Sequence, residues 1–321
     1  MDTPCCEADS NAPGPGQDPV LTLNQVGDFN LETRSLILDF LNRFPNQSCE
    51  YNFVNLFCWK DIYRYSWYIY KERLVIYDGL NQVIFMPLGK PMLPASLHVL
   101  SKMFEDMGHS ANICLASKDY LETYPEFEQF YSAEPDRDAA EYIYLTKSLV
   151  DLKGTKLHKK RNLIAQFKRK YPDHRVLPIT LDNCQTVAGF ARDLLMTLDP
   201  VPKSLADEYV AIEAAFSNWE AVGLEGLVLM VADKIAAFSV FSPLTDDTWN
   251  IHFEKSNMAF KGAAQVINRE TAFVLADRAT YLNREQDLGI KGLRQAKLSY
   301  EPDHLLIPYT LTFKPHPRSD S

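Results

Sequence analysis

The sequence lacks a long apolar run and a recognisable export signal. Its most apolar stretch, Leu227 to Phe241, is interrupted at its centre by Asp233 and Lys234, whereas a membrane-spanning helix needs roughly 18 or more apolar residues. No Lys or Arg precedes Arg34, and no apolar segment opens the chain, so the N-terminus lacks the features of a secretory signal peptide. We expect a cytoplasmic protein without a transmembrane segment.

Motifs of metal sites and of serine hydrolases are also missing. The six cysteines form no CxxC pair, the seven histidines form no HExxH motif, and no GxSxG motif occurs. Zinc sites and α/β-hydrolases depend on these patterns, so no metal site is predicted and neither enzyme class is supported. Cysteines scattered over a chain of this size indicate reduced thiols, as in a cytoplasm.

The composition is that of a folded protein with an acidic surface. The 321 residues are 46% apolar and carry a net charge of −9. A chain of this length makes about two average domains, and its overall charge repels nucleic acid and anionic lipid. A polyanionic partner would therefore need a local basic patch.

Composition and periodicity divide the chain into a tail and two units. Residues 1–19 hold four prolines and no aromatic residue, which predicts a disordered tail. Residues 20–145 are expected to form a mixed α+β unit, and residues 146–321 a second one. The elements predicted for the first unit are a helix at 31–44, antiparallel strands within 66–85, a helix at 94–107 and a strand at 112–115.

The second unit has a definite predicted order of helices and strands. It begins with three helices, continues with three strands, and then alternates helix and strand to the end. The predicted elements are helices at 153–175, 183–198 and 203–221, strands at 224–231, 235–241 and 248–255, a helix at 262–278, a strand at 280–283, a helix at 289–298 and a strand at 305–313.

The first helix of the second unit is strongly basic. Between Lys153 and Arg175 lie nine of the 33 Lys and Arg residues, with Asp173 as the only acid. An apolar stripe through Ile164 and Phe167 makes the segment amphipathic. Its cations either bind a polyanion such as tRNA or a cofactor phosphate, or they only form a solvated helix face. The candidate residues are Lys159, Lys160, Arg161, Lys168, Arg169 and Lys170.

A strand-to-helix junction is the most informative local pattern. The strand at 248–255 is followed by a loop and by Gly262-Ala263-Ala264 at the start of a helix. Small residues there let a ligand approach the backbone, and the N–H groups of a first helical turn favour phosphate. Alternatively, the small residues serve only close packing of the helix. The candidate donor- or phosphate-binding residues are Lys261, Gly262, Ala263, Ala264 and Asn268.

A carboxylate lies near the end of the strand before this junction. Alternation places His252 and Glu254 on one face of the strand, and Phe253 and Lys255 on the other. Beside an anion site, Glu254 could act as a general base if burial raised its pKa. An ion pair of Glu254 with Lys255 or an arginine at the sheet edge is the alternative.

The segment Tyr281–Tyr300 is dense in polar groups. Arg294, Lys297 and Tyr300 recur at spacings of three, which predicts that they line one helical face. Such a face could hold an anionic group and offer the Tyr300 phenol as a proton donor, or it could belong to a capping and salt-bridge network. The candidate substrate- or anion-binding residues are Asn283, Arg284, Glu285, Asp287, Arg294 and Lys297.

Several runs of residues resemble a known family. KLHKKRNLIAQFKRKYPDHRVLPIT at 156–180, HFEKSNMAFKGAAQVINRE at 252–270 and YLNREQDLGIKGLRQAKLSYEP at 281–302 are similar to standalone proteins related to the C-terminal domain of bacterial phosphatidylglycerol lysyltransferase. YNFVNLFCWKDIYRYSW at 51–67 resembles the N-terminal half of the same proteins. The resemblance implies an α+β fold of two tandem GNAT-like domains with mixed sheets, shared with the peptidoglycan-bridge aminoacyltransferases.

The resemblance also implies a chemistry. It implies transfer of an acyl or aminoacyl group from acyl-coenzyme A or aminoacyl-tRNA to an amine or hydroxyl, with the donor as co-substrate and no permanently bound cofactor. Gly262 would occupy the donor-phosphate loop, although the Gln or Arg that the loop pattern places three residues earlier is Ala259 here. Glu254 would be the catalytic base and Tyr300 the catalytic acid.

Two functions of different class remain open at this point. The first is a cytosolic acyl- or aminoacyltransferase. The second is a catalytically silent tandem GNAT-fold protein that binds RNA, nucleotide or a protein partner through the basic segment at 153–175. The acceptor also stays open, because the sequence has no counterpart of the lysyltransferase's membrane-spanning part and a lipid acceptor does not carry over.

Overall fold

A computed structural model describes residues 27–315, which form two mixed β-sheets with helices packed on them. The strands are β1 (Gly27–Asp28), β2 (Tyr65–Tyr70), β3 (Arg73–Asp78), β4 (Val83–Phe85), β5 (Ile113–Ala116), β6 (Tyr131–Pro135), β7 (Glu141–Leu145), β8 (Arg175–Pro178), β9 (Glu225–Val231), β10 (Lys234–Pro243), β11 (Thr248–Ser256), β12 (Tyr281–Gln286), β13 (His304–Leu306) and β14 (Tyr309–Phe313). The predicted tail at 1–19 lies outside the described residues.

The predicted helices are present with shifted ends, but the helices at 53–63, 118–123 and 146–151 were not predicted. The α-helices are α1 (Arg34–Arg43), α2 (Phe53–Tyr63), α3 (Pro94–Asp106), α4 (Lys118–Thr123), α5 (Thr146–Asp151), α6 (His158–Lys170), α7 (Leu181–Leu195), α8 (Lys203–Ser217), α9 (Trp219–Val222), α10 (Ala263–Leu275) and α11 (Lys291–Leu298). The predicted helix at 203–221 is divided at Asn218, which ends α8 and precedes α9.

Each sheet contains seven strands. The first has the order β1-β2-β3-β4-β5-β14-β6, and the second has the order β13-β7-β12-β11-β10-β9-β8. Most neighbours are antiparallel, but β4 pairs with β5 and β11 with β12 in parallel. The predicted α+β class with mixed sheets is therefore confirmed.

The two sheets exchange strands near the predicted boundary at residue 145. β7 belongs to the second sheet, whereas β14, from the end of the chain, lies between β5 and β6 in the first sheet. The single final strand predicted at 305–313 is in fact two strands, and Pro308, which has no N–H for a ladder, stands between them. The division at residue 145 stays a prediction about folding units, but the sheets do not follow it.

A β-bulge and a splay shape the centre of the second sheet. Val240 on β10 pairs with Phe253 and Phe241 pairs with Ile251, so His252 is an extra residue on β11. β11 pairs with β12 only from Thr248 to Asn250. Beyond that point, the β11 edge that faces β12 is free of pairing, and the two strands separate.

The bulge changes which side chains share a face. Ile251 packs in the core beneath α10, whereas Phe253 packs in a core that also contains residues of α1 and α2. Simple alternation would place these two residues together. The prediction that His252 and Glu254 share one face is therefore wrong, because the extra residue reverses the alternation between them.

Candidate functional site

The separated ends of β11 and β12 carry a carboxylate–guanidinium pair. Glu254 accepts a hydrogen bond from Nη2 of Arg284 at 3.0 Å and another from Nδ2 of Asn268, on α10, at 3.2 Å. The side chains of Glu254 and Arg284 are only 16% and 13% exposed. Nη1 of Arg284 and Oδ1 of Asn268 are buried without a hydrogen-bond partner. One buried donor and one buried acceptor of this group thus lack a hydrogen-bond partner.

Tyr300 lies against the same arginine. Its ring centroid is 5.1 Å from Cζ of Arg284 and 4.0 Å from Nζ of Lys160, close enough for cation–π attraction. Burial raises the pKa of Tyr300 to about 12, so the phenol keeps its proton at neutral pH. Burial and then the charge of Arg284 lower the pKa of Lys160. We call the following residues the splay cluster: Lys160, Glu254, Asn268, Arg284 and Tyr300.

Lys297 supports the backbone of β12. Its ammonium donates to the carbonyl oxygens of Arg284 and Gln286, each at 2.5 Å, and burial lowers its pKa to about 8. The strand is irregular here, because Glu285 has a φ of +56°. Lys297 thus holds an irregular strand end, which differs from the anion-binding position that its spacing with Arg294 predicted.

A second polar group joins β11 to α2, and sequence reasoning did not find it. Nδ1 of His252 lies 2.7 Å from Oδ1 of Asn55, and its Nε2 lies 2.8 Å from Oγ of Ser242. Glu285 accepts hydrogen bonds from Nδ2 of Asn55 at 3.0 Å and of Asn250 at 2.7 Å. Glu285, predicted to bind substrate, therefore links the two halves of the chain.

Glu141, on the neighbouring strand β7, also bonds to residues of both halves of the chain. It is 1% exposed, and it accepts hydrogen bonds from Oγ of Ser48 at 2.6 Å and from Nδ2 of Asn283 at 2.5 Å. Burial, followed by the charge of Glu141, raises the pKa of nearby Glu50 to about 8. Asn283 is thus a structural partner of Glu141 here, whereas the sequence had suggested a substrate contact.

Asp287 and Arg294 form a third, separate cluster. Arg294 binds both carboxylate oxygens of Asp287, at 2.9 and 2.7 Å, and Tyr142 donates to the same carboxylate at 2.5 Å. Although burial opposes it, hydrogen bonding, first from Arg294, holds the pKa of Asp287 well below its ordinary value. The alternative of a salt-bridge network applies here, and the residues predicted to bind an anion do not form one surface.

The predicted phosphate loop is packed against the basic helix. Gly262 is buried with a φ of +98°, and a Cβ built on it would lie 2.7 Å from the carbonyl oxygen of Leu163 on α6. The N–H of Ala263, itself buried, donates to the carbonyl of Phe260 at 2.9 Å. Ala264 is half-buried and Lys261 is exposed. Close packing therefore accounts for this glycine, and its donor-binding role stays a prediction.

The six cations of α6 have different surroundings. Lys160 belongs to the splay cluster, Arg161 donates to the carbonyl oxygens of residues 152 and 154, and Lys168 pairs with Glu270 at 3.1 Å. The remaining three are exposed. We call Lys159, Arg169 and Lys170 the outer patch. Any polyanion contact of this helix would have to begin there.

Residues 27–315 lack two features that would point to other functions. No helix in that range is both long and apolar enough to cross a membrane. Within the same range, no three His, Cys, Asp or Glu side chains are arranged to hold a metal ion.

Comparisons with known proteins agree with this architecture. A crystal structure of a conserved protein of unknown function from Bacteroides thetaiotaomicron VPI-5482 is 31% identical, with a TM-score of 0.84 over 90% of this chain and 99% of that chain. L-PGS from Bacillus licheniformis is 13% identical, with a TM-score of 0.58 over 88% of this chain and 93% of its own. FemX is 7% identical, with a TM-score of 0.53 over 90% of this chain and 97% of its own.

The last two likenesses concern the fold alone, and they fit the expected pair of tandem GNAT-like domains. A family model described as "Phosphatidylglycerol lysyltransferase, C-terminal" matches residues 41–312, which is most of the described chain. The protein therefore belongs to the phosphatidylglycerol lysyltransferase C-terminal family and is of the acyl- or aminoacyltransferase kind.

Proposed function

We propose that the protein transfers an aminoacyl group from aminoacyl-tRNA to an amine or hydroxyl acceptor, and that the transfer takes place where β11 and β12 separate. The observation that carries this proposal is the unpartnered Nη1 of Arg284, buried beside Glu254 and Tyr300. A buried donor without a partner is unfavourable by about 1–3 kcal/mol. A preorganised donor of this kind suits an ester carbonyl oxygen on which negative charge develops.

The surroundings of Gly262 favour aminoacyl-tRNA over acyl-coenzyme A as the donor. A pyrophosphate would require free N–H groups and close approach at the start of α10. Leu163 covers Gly262, and the N–H of Ala263 is already bonded to Phe260. The outer patch offers exposed cations to a tRNA backbone, as phosphate contacts require.

The proposed reaction is an ester aminolysis when the acceptor is an amine, and a transesterification when it is a hydroxyl. The acceptor nitrogen or oxygen bonds to the carbonyl carbon of the aminoacyl ester, and the bond from that carbon to the terminal ribose oxygen breaks. Glu254 accepts the proton that the nucleophile loses, directly or through one water. Tyr300 donates its proton to the leaving ribose oxygen, and solvent returns the proton from Glu254 to Tyr300.

A specific observation also favours a silent binding protein. Both carboxylate oxygens of Glu254 are hydrogen-bonded, one to Arg284 and one to Asn268. A structural ion pair would look the same. In that case the protein would bind RNA, a nucleotide or a protein without turnover.

The test measures loss of the aminoacyl ester from a pool of charged tRNAs, and of the thioester from acetyl-coenzyme A, in the presence of amine and hydroxyl acceptors. We expect turnover with aminoacyl-tRNA, and Arg284→Gln should reduce it by about 100- to 1,000-fold, as loss of an oxyanion donor does. Arg278→Gln is the matched control, because Arg278 forms a bidentate pair with Glu225 on the surface. Turnover with acetyl-coenzyme A alone would refute the choice of donor, and turnover with neither would favour the silent protein.

A further inference from the structure

A cavity lies between α7, α8 and the end of β11. Its volume is about 320 Å³, at the small end of the roughly 300–1,000 Å³ range of small-molecule sites. Much of its wall is apolar and comes from the two helices and the segment between them. The leucine and isoleucine side chains in this wall are Leu194, Leu195, Leu198, Leu205 and Ile212.

Six polar residues also line the cavity, and two of them have hydroxyl groups that bond elsewhere. The hydroxyl of Thr197 donates to the carbonyl oxygen of Leu194 at 2.7 Å, and that of Tyr209 donates to Oε1 of Glu213 at 2.6 Å. The other four are Glu208 on α8, and Lys255, Ser256 and Asn257 at the end of β11 and just after it. The cavity therefore has an apolar wall and a polar group beside it.

An ion pair stands at the centre of this polar group. Nζ of Lys255 lies 2.5 Å from Oε2 of Glu208, and the two side chains are 27% and 24% exposed. The contact uses only one of the N–H donors of the ammonium and only one oxygen of the carboxylate. The pair can therefore bind a further anionic group at Lys255 and a further cationic group at Glu208 without separating.

An α-amino acid carries two opposite charges at nearly the spacing of this ion pair. Standard bond lengths place its ammonium nitrogen roughly 3 Å from the nearer carboxylate oxygen. When such a head group lies antiparallel to the pair, its carboxylate meets Lys255 and its ammonium meets Glu208. Each charge then has two neighbours of opposite sign. A ligand with one charge only would place that charge beside a like charge of the pair, which is unfavourable.

We infer that the cavity binds a free apolar α-amino acid, such as leucine or phenylalanine, with its head group on Lys255 and Glu208 and its side chain among the leucines of α7 and α8. A ligand side chain with a charge of its own would leave that charge unpaired among apolar groups, which is strongly unfavourable.

This site is separate from the splay cluster. Glu254 contacts α10, whereas Lys255 contacts α8 on the opposite face of β11. An aminoacyl ester also lacks the free carboxylate that Lys255 would bind. The inference therefore does not depend on the proposed function.

Calorimetry on the full chain tests the class of ligand. It would compare L-leucine with 4-methylpentanoate, which lacks the ammonium, with 3-methylbutylamine, which lacks the carboxylate, and with L-lysine, whose side chain is charged. We expect leucine to bind at least about tenfold tighter than each of the three. Equal binding of any of them, or no binding of leucine and phenylalanine up to about 10 mM, would overturn the inference.

Two pairs of variants locate the binding. Glu208→Gln should lower the affinity for leucine by at least about tenfold. Its matched control is Asp207→Asn, which should leave the affinity unchanged, because Asp207 pairs with Lys203 outside the cavity. Leu195→Trp should fill the cavity and abolish binding, whereas Leu181→Trp, at an exposed leucine of the same helix outside the cavity, should not.

Melting curves of each variant, with and without leucine, provide the second measurement. A ligand that binds the folded state raises the melting temperature as its concentration rises. We expect this rise in the wild type and in both controls, and its loss in Leu195→Trp. Unchanged affinity for leucine in Glu208→Gln, or in a folded Leu195→Trp protein, would overturn the inference.

Discussion

Replacing Gly262 by alanine separates a packing role from a donor-binding role. At a φ of +98°, a residue with a side chain is strained, by about 1–2 kcal/mol. The new Cβ would also lie 2.7 Å from the Leu163 carbonyl oxygen and 3.0 Å from Cβ of Phe167. Neither neighbouring atom is the free end of a flexible side chain, so helix α6 must shift. Overpacking of this kind typically lowers the free energy of unfolding by about another 1–3 kcal/mol. We expect Gly262→Ala to destabilise the fold by about 2–5 kcal/mol.

The assay is urea unfolding followed by far-ultraviolet circular dichroism, with Gly292→Ala as the matched control. Gly292 lies in α11, and no atom lies within 4 Å of a Cβ built on it. Alanine is the better helix former there by roughly 0.5–1 kcal/mol, so the control should be unchanged or slightly more stable.

The result that would refute the reasoning is a Gly262→Ala protein as stable as the wild type. If the Gly262→Ala protein had then lost its affinity for the donor, Gly262 would belong to a donor-phosphate loop. A stability loss of the expected size, with donor affinity preserved in the folded fraction, would confirm that packing against α6 explains the residue.

Three further predictions address the candidate site and its surroundings. If Glu254 and Tyr300 are base and acid, Glu254→Gln and Tyr300→Phe each lower the turnover rate of the folded protein by about a hundred- to ten-thousandfold; a rate that stays unchanged in the folded protein, with a lower melting temperature for Glu254→Gln, would identify a structural pair. Because burial raises the pKa of Glu50 from 4.5 to about 8, the folded protein holds a proton that the unfolded chain releases, and stability should fall as pH rises through that interval. Glu50→Gln should remove this fall, and urea midpoints that decline equally in both proteins would contradict it. Replacing the outer patch with glutamine should flatten the salt dependence of tRNA binding by roughly one unit of slope per lost phosphate contact, and an unchanged slope would exclude the patch.

The sequence carried enough information for the fold class and for most of the helices, but not for every element. Amphipathic periodicity located α6, and Pro94 and Gly108 bracketed α3, because apolar spacing and helix-ending residues act within a few positions of one another. The resemblance supplied the tandem arrangement. In the second unit, the predicted elements occur in the predicted order up to α11, but α5 and the edge strand β8, which lies between α6 and α7, were not predicted.

The site was only partly predictable. Glu254, Arg284 and Tyr300 were all selected from the sequence, and they do meet. Their neighbours across the two halves were missed, because His252 and Asn55 are 197 residues apart and no local pattern records such a contact. One signal was present, since Asn55 interrupts the apolar run of α2, and a buried amide needs a partner.

The bulge at His252 explains how neighbouring side chains of β11 contact three different helices. Before it, Ile251 faces α10; after it, Glu254 faces α10 again, while Lys255 pairs with Glu208 of α8 on the other face. A register slip of one residue would move each of these side chains to the other face. The bond from His252 to Asn55 holds the extra residue in place from α2. The contact between the two halves of the chain therefore helps to set the position of Glu254, although the first half contributes no side chain to the splay cluster.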